Sequence, residues 1–171
     1  MTIRSKPWLL AALLLVVAAV VVVRVGHLVG PLSTARAHEG HEHFAAGEPG
    51  DPKKPAREVR VAMYDDGSEK VMRFEPASIT VRKGEQIRFV LENTGTESHE
   101  FMLATVADNR KHAELMKKFP DMEHDDPNAK RLAVSQKGEL IWKFTKAGEF
   151  EYACLIPGHY EAGMHGKIVV K

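Results

Sequence analysis

The segment "GEFEYACLIPGHYEAGMHGKIVV", residues 148–170, carries the strongest structural signal in the chain. It opens with strict alternation, in which Cys154 shares its parity with the two aromatic residues before it. A turn with His159 follows, and Met164 stands where the chain re-enters an apolar run. The pattern predicts two strands joined by a loop that carries imidazole and thioether groups, with the Cys154 sulfur pointing inward.

Short alternating segments of the same kind fill the chain from Glu58 to the C terminus, and turn residues separate them. We count seven or eight such strands. One segment differs, because "ADNRKHAELMKKFP" has apolar residues at helical spacing, with Asp108 as a candidate cap and Pro120 as its end. The predicted fold is an all-β, Greek-key β-sandwich with one short helical insertion near residues 108–119.

Cys154 is the only cysteine among 171 residues, which excludes an internal disulfide. Taken alone, a free cysteine is usually a small buried apolar residue. A thiolate, the imidazole of His159 and the thioether of Met164 on one loop form a soft ligand set, which selects copper over calcium or magnesium. Zinc also accepts Cys and His, but structural zinc sites usually take four such ligands.

A trigonal site of two imidazoles and one thiolate with a weak axial thioether requires a second histidine. His99 lies in "LENTGTESHEF", after a glycine-containing loop and at the start of a strand. Greek-key topology can bring this position beside the Cys154 loop. The alternative interpretation of His99 is a solvated loop residue. The nearby loop with Cys154, His159 and Met164 favours a role of His99 as a metal ligand.

Together, "ENTGTESHEF" and the segment 148–170 resemble the cupredoxins, the type 1 copper proteins that include plastocyanin, azurin and rusticyanin. The resemblance covers residues 58–171 and implies one copper ion that cycles between Cu(I) and Cu(II). The implied metal ligands are His99, Cys154, His159 and Met164. Many members carry Asn directly after the upstream histidine, where it ties the two ligand loops together. Glu100 stands there in this chain, and Asn93 is the alternative.

The first 37 residues have the pattern of an export signal. A basic start, "MTIRSKP", precedes an apolar run at residues 8–23, and "ARA" at residues 35–37 offers a cleavage site. We expect cleavage after Ala37, and the alternative is retention as a membrane anchor. In both cases the rest lies outside the cytoplasm, so a periplasmic location is expected. Residues 38–57 are rich in Gly, Pro, His and charge, which predicts a disordered tail before a cupredoxin domain at 58–171.

Three segments are similar to those of periplasmic cupredoxins of bacterial copper resistance: "HEGHEH", "HAELMKKFPDMEHDDPNA" and "CLIPGHYEAGMHG". This resemblance implies copper tolerance. The alternative function is a dedicated electron shuttle between respiratory or photosynthetic complexes. A copper enzyme is disfavoured, because four protein ligands leave no open metal position and the predicted domain has no H-x-H pair.

The histidines and methionines also raise two hypotheses for further copper sites. The tail histidines His38, His41 and His43 can add weak Cu(II) binding. A second soft site around Met116, Met122 and His124 competes with simple core packing, which is the commoner role of methionines at helical spacing.

The net charge of +1 and the absence of a basic stripe argue against nucleic acid as a partner. We expect a monomer that meets a redox protein partner at His159, the predicted solvent-facing ligand. Contact with a membrane is expected only if the N-terminal segment is retained.

Overall fold

The computed structural model describes residues 44–68, 70–120 and 126–171, and within them ten strands and one helix form a β-sandwich. The strands are β1 (Glu48–Pro49), β2 (Arg57–Asp65), β3 (Met72–Glu75), β4 (Ser78–Val81), β5 (Gln86–Asn93), β6 (His99–Ala104), β7 (Ala129–Leu132), β8 (Lys137–Lys143), β9 (Gly148–Ala153) and β10 (His165–Val170). The helix α1 spans Val106–Lys118. The predicted all-β class with one short helix is confirmed.

The strands form two five-stranded sheets. The first has the order β1-β8-β5-β2-β3, and the second has the order β4-β10-β9-β6-β7. Pairing is antiparallel except between β2 and β5 and between β4 and β10. Most consecutive strands lie in opposite sheets, so the chain crosses repeatedly between them, as in a Greek-key sandwich.

An aromatic cluster joins the inner faces of the two sheets. Phe74 and Phe89 come from the first sheet, and Phe101 and Tyr152 come from the second. The rings of Phe101 and Tyr152 stack with centroids 5.2 Å apart, and Phe101 lies 5.1 Å from Phe89 and 5.9 Å from Phe74. All four side chains are almost completely buried. Such rings combine large apolar burial with a preferred mutual geometry, so they fix how the sheets face each other.

Helix α1 covers the outer face of the second sheet. Met116 from the helix packs with Met102 of β6 and with Ala153 and Leu155 beside the end of β9. Met116 is therefore a core residue of this small cluster. The other two members of the hypothetical second copper site, Met122 and His124, lie outside the described residues.

The predicted cap of the helix is wrong by three residues. The side chain of Thr105 accepts a hydrogen bond from the backbone N–H of Asp108, which makes Thr105 the N-cap. Asp108 instead lies in the first turn, where its carboxylate accepts a hydrogen bond from the Thr105 hydroxyl and suits the positive end of the helix.

The predicted start of the domain at residue 58 is too late. Phe44 packs edge-on against Trp142 with ring centroids 5.3 Å apart, and Ala46 is completely buried. Strand β1 then pairs with β8, and β2 begins at Arg57. The Gly- and Pro-rich composition concealed these contacts because a two-residue strand has no detectable period. The predicted signal segment and the histidines at positions 38, 41 and 43 lie outside the described residues.

Among the residues that the structure describes, no helix combines the length and the apolar character that crossing a bilayer requires.

The aromatic cluster generates a stability prediction. Phe101→Ala should lower the free energy of unfolding of the copper-free protein by about 3–5 kcal/mol, because it opens a cavity among three other rings. Denaturant titration followed by circular dichroism measures this value. Val134→Ala is the control, since Val134 is 47% exposed and its truncation should change stability by no more than about 0.5 kcal/mol. Equal effects of the two substitutions would contradict the proposed role of the cluster.

Candidate metal centre

Two neighbouring strands of the second sheet bring the candidate residues to one end of the sandwich. Strand β6 begins at His99, and Cys154 directly follows the last residue of β9. The two strands are antiparallel, with Met102 opposite Ala153. The start of β6 therefore lies beside the end of β9. The loop after Cys154 then carries His159, and it returns to β10 through Met164.

Three of the four predicted ligands converge. The Nδ1 atoms of His99 and His159 are 3.2 Å apart, and the Sγ atom of Cys154 is 3.4 Å from the His159 Nδ1. One potential ligand atom from each of the three residues lies within 4.8 Å of the others. All three residues are buried, so water does not compete strongly for these atoms.

Met164, the fourth predicted ligand, is completely buried and tied to the same loop. Its N–H donates to the carbonyl of His159 at 3.0 Å, and its carbonyl accepts from the N–H of Cys154 at 3.0 Å. Positive φ angles of 93° at Gly158 and 96° at Gly163 allow the loop to turn this tightly. These bonds hold the backbone of Met164 next to the converging donors.

Asp65 is a site residue that the sequence did not reveal. Its Oδ2 atom lies 2.9 Å from the Nε2 of His99, and both side chains are completely buried. Burial by itself would raise the pKa of Asp65, but hydrogen bonds from Thr96, Gly67 and His99 outweigh it and hold the pKa well below its usual range. Asp65 is thus a carboxylate that accepts the Nε2 proton of His99, which leaves the His99 Nδ1 lone pair facing inward.

The prediction that His159 faces solvent is wrong. The residue is only 4% exposed, and its Nε2 atom lies 3.3 Å from the carboxylate of Glu97. Burial lowers the pKa of His159, and the neighbouring His99 adds to this effect, so the imidazole is neutral. The carboxylate at Nε2 favours the tautomer with its proton there. An open pocket of about 600 Å³ lies beside the Glu97 and His159 side chains. Its lining also includes Met72 and Pro157.

The tautomers make the centre suited to a cation. With both Nε2 atoms protonated toward carboxylates, the Nδ1 lone pairs of His99 and His159 face each other across 3.2 Å, beside the Cys154 sulfur. Facing lone pairs repel, and a cation between them removes the repulsion. Two imidazoles and a sulfur are the donors that copper accepts, so the residues present fit this metal.

The sulfur of Cys154 has its own polar contact. The backbone N–H of Glu100 donates to Sγ at 3.3 Å. Burial raises the pKa of the Cys154 thiol to about 12, so the copper-free protein holds a protonated thiol at neutral pH. A metal bound there must displace this proton, because the thiolate is the ligand.

The link between the ligand segments differs from the family pattern. The side-chain amide of Asn93 donates to the carbonyls of Glu97 and Leu132, at 2.7 and 3.1 Å, and its oxygen accepts from the N–H of Gly95. Asn93 therefore fixes the loop before His99 to β7. The bond between the strands that carry His99 and Cys154 comes from the Glu100 backbone instead of an Asn side chain.

A Greek-key sandwich with two buried imidazoles, one cysteine and one buried methionine at one end defines a cupredoxin. A family model supports this class. The chain belongs to the plastocyanin/azurin family of copper binding proteins, whose model matches residues 61–171. Copper is therefore the metal that this domain takes.

Similar proteins include two that are named copper-resistant cuproprotein CopI. The protein from Rubrivivax gelatinosus is 51% identical over 152 residues, which cover 81% of this chain and 89% of that protein. The protein from Pseudomonas aeruginosa is 33% identical and covers 84% of this chain and 93% of its own length. A reduced auracyanin from Roseiflexus castenholzii shares the fold at 20% identity, with a TM-score of 0.56 over 69% of this chain and 99% of that chain.

The single thiol allows a direct test of the centre. Cys154→Ser should abolish the visible thiolate-to-copper absorption, because no other cysteine can supply it. Copper(II) binding at pH 7 should release about one proton per site from the wild-type thiol. Absorption spectroscopy and a pH-stat titration measure the two effects. Visible absorption of wild-type intensity in Cys154→Ser would exclude Cys154 as the ligand.

Met164→Leu tests the predicted axial ligand against a matched methionine. The variant should keep a coloured copper centre but shift its reduction potential, because an axial thioether bond is weak and long. Met116→Leu is the control, since Met116 is equally buried but belongs to the cluster under α1. Spectroelectrochemical titration compares them. An unchanged potential in Met164→Leu, or the same shift in both variants, would contradict an axial role.

Proposed function

We propose that the protein is an exported copper-tolerance protein, in which His99, Cys154 and His159 would hold one type 1 copper ion and Met164 would supply a weak fourth ligand. The convergence of three buried soft donors within 4.8 Å carries this proposal. Copper bound there supplies a one-electron couple between Cu(I) and Cu(II).

The surroundings of the donors suit electron transfer because they restrict movement. His99 is held by Asp65, the Cys154 sulfur by the Glu100 N–H, and the Met164 backbone by Cys154 and His159. When the donor atoms stay in place in both oxidation states of copper, little structural rearrangement accompanies electron transfer. Four protein ligands also leave no position for a substrate, which supports a carrier or binding role over an enzyme.

Copper tolerance is supported by the relatives. Two proteins that match more than 80% of the chain carry the name copper-resistant cuproprotein. The auracyanin likeness, at 20% identity, bears on the fold alone, so it does not favour the electron-shuttle alternative. We therefore assign the one-electron chemistry to copper handling.

The proposal also includes the location of the protein in the cell and the surface that its redox partner contacts. The basic and apolar pattern of residues 1–37 supports export to the periplasm, where free copper would meet the protein first. The pocket lined by Glu97 and His159 opens beside the buried donors, so a protein partner would meet the molecule there. The molecule acts as a monomer in this proposal.

Growth in copper tests the biological role. Deleting the gene in its host should lower the copper concentration that stops growth, and the wild-type gene should restore tolerance. Cys154→Ser should fail to restore it, because the centre cannot form, whereas the Met116→Leu control should succeed. Growth curves over a copper series give the measurement. Full restoration by Cys154→Ser would refute the role of the centre in tolerance, and a growth defect without added copper would indicate the electron shuttle.

A further inference from the structure

The carboxylate of Asp65 is held by an unusually complete set of donors. Besides the Nε2 of His99, it accepts hydrogen bonds from the backbone N–H groups of Gly67, Thr96 and Glu97, at 2.9, 2.7 and 3.2 Å. The hydroxyl of Thr96 donates a further bond. All of these donors are neutral groups, so they fix the carboxylate in place and stabilise its charge without changing the net charge of −1.

Gly95 keeps this pair free of water. A Cβ atom at position 95 would overlap the carboxylate of Asp65 and lie 2.8 Å from the Nε2 of His99. The glycine backbone thus closes directly over the hydrogen bond, and both side chains beneath it are fully buried. A charge in such a dry environment is poorly screened, so it acts strongly on neighbouring groups.

The negative charge of Asp65 lies directly behind one of the proposed metal ligands, His99. His99 has one ring nitrogen bonded to Asp65 and the other facing His159 and Cys154. A carboxylate on the far side of a ligating imidazole orients the ring and increases its basicity. Two other carboxylates lie near the centre. That of Glu97 is 48% exposed and is therefore screened by solvent, whereas that of the buried Glu100 acts on Cys154 and is not bonded to the His99 ring.

We propose that Asp65 is a positioning residue whose fixed negative charge, acting through His99, makes the centre favour Cu(II) over Cu(I). The proposal rests on the type 1 copper function given above. A fixed negative charge stabilises the doubly charged Cu(II) ion more than the singly charged Cu(I) ion, and Asp65 supplies such a charge directly behind one ligand, His99.

Asp65→Asn tests the charge, because the amide has nearly the same shape. Loss of the carboxylate should shift the ratio of Cu(I) to Cu(II) affinity by about tenfold toward Cu(I), which corresponds to a reduction potential about 59 mV higher. Spectroelectrochemical titration of the copper-loaded full chain gives the value. Asp66→Asn is the matched control, since it removes the same formal charge from an exposed neighbour and should leave the potential unchanged. Equal potentials in the two variants would overturn the proposal.

A second readout tests the positioning. Pulsed electron paramagnetic resonance detects the remote nitrogen of a copper-bound imidazole, and its quadrupole coupling depends on the hydrogen bond at that nitrogen. The coupling assigned to the His99 Nε2 should change in Asp65→Asn and stay constant in Asp66→Asn. A coupling that is identical in both variants and in the wild type would show that Asp65 does not hold the ring.

If Asp65→Asn does not fold, Thr96→Val tests the effect of the Asp65 charge on the reduction potential. Thr96 lies on an exposed loop, and its replacement keeps the Asp65 charge but removes the neutral hydroxyl donor. The less compensated carboxylate should then lower the reduction potential, opposite in direction to Asp65→Asn. A potential equal to or above that of the wild type would overturn the proposal.

Failure of this inference differs from failure of the type 1 copper function. A wild-type protein without thiolate-to-copper absorption would refute the function itself. A wild-type protein with that absorption, together with an unshifted Asp65→Asn variant, would refute only the role of Asp65.

Discussion

The antiparallel pairing of β6 with β9 is the constraint on which the centre depends. Its register sets Met102 opposite Ala153 and thereby brings His99 beside Cys154. Side chains alternate along a strand, so a slip of one residue would turn the Cys154 sulfur from the sandwich interior toward the face under α1. Phe101 and Tyr152 stack between the same two strands and oppose such a slip. Packing of the core thus determines the geometry of the site.

Polar groups can be buried at this end of the sandwich because neighbouring segments supply them with partners. Three buried polar groups here have protein partners: His99 has Asp65, the Cys154 sulfur has the Glu100 N–H, and the His159 Nε2 has the Glu97 carboxylate. The Nδ1 lone pairs of His99 and His159 and the thiol of Cys154 then face one another in the interior. A soft cation completes this arrangement, so the centre is organised by the fold before the metal arrives.

The sequence was informative where the chemistry is local and uninformative where it is not. The loop from Cys154 to Met164 spans few residues, and its spacing indicated a copper site directly. Asp65 carried no such local signal, because its partner His99 is 34 positions away and only the packing of β2 against the loop after β5 joins them. The contact between the Glu97 carboxylate and His159 was not predicted for the same reason, since it forms between two loops that are distant in the sequence.

X-ray absorption at the copper edge tests the central claim, that a rigid set of buried donors holds copper in both oxidation states. Spectra of the copper-loaded protein should show one sulfur and two nitrogen neighbours at short distance in the oxidised form. The same set, with little change in distance, should remain after reduction. A spectrum with only nitrogen and oxygen neighbours, or the loss of a nitrogen neighbour on reduction, would contradict the account.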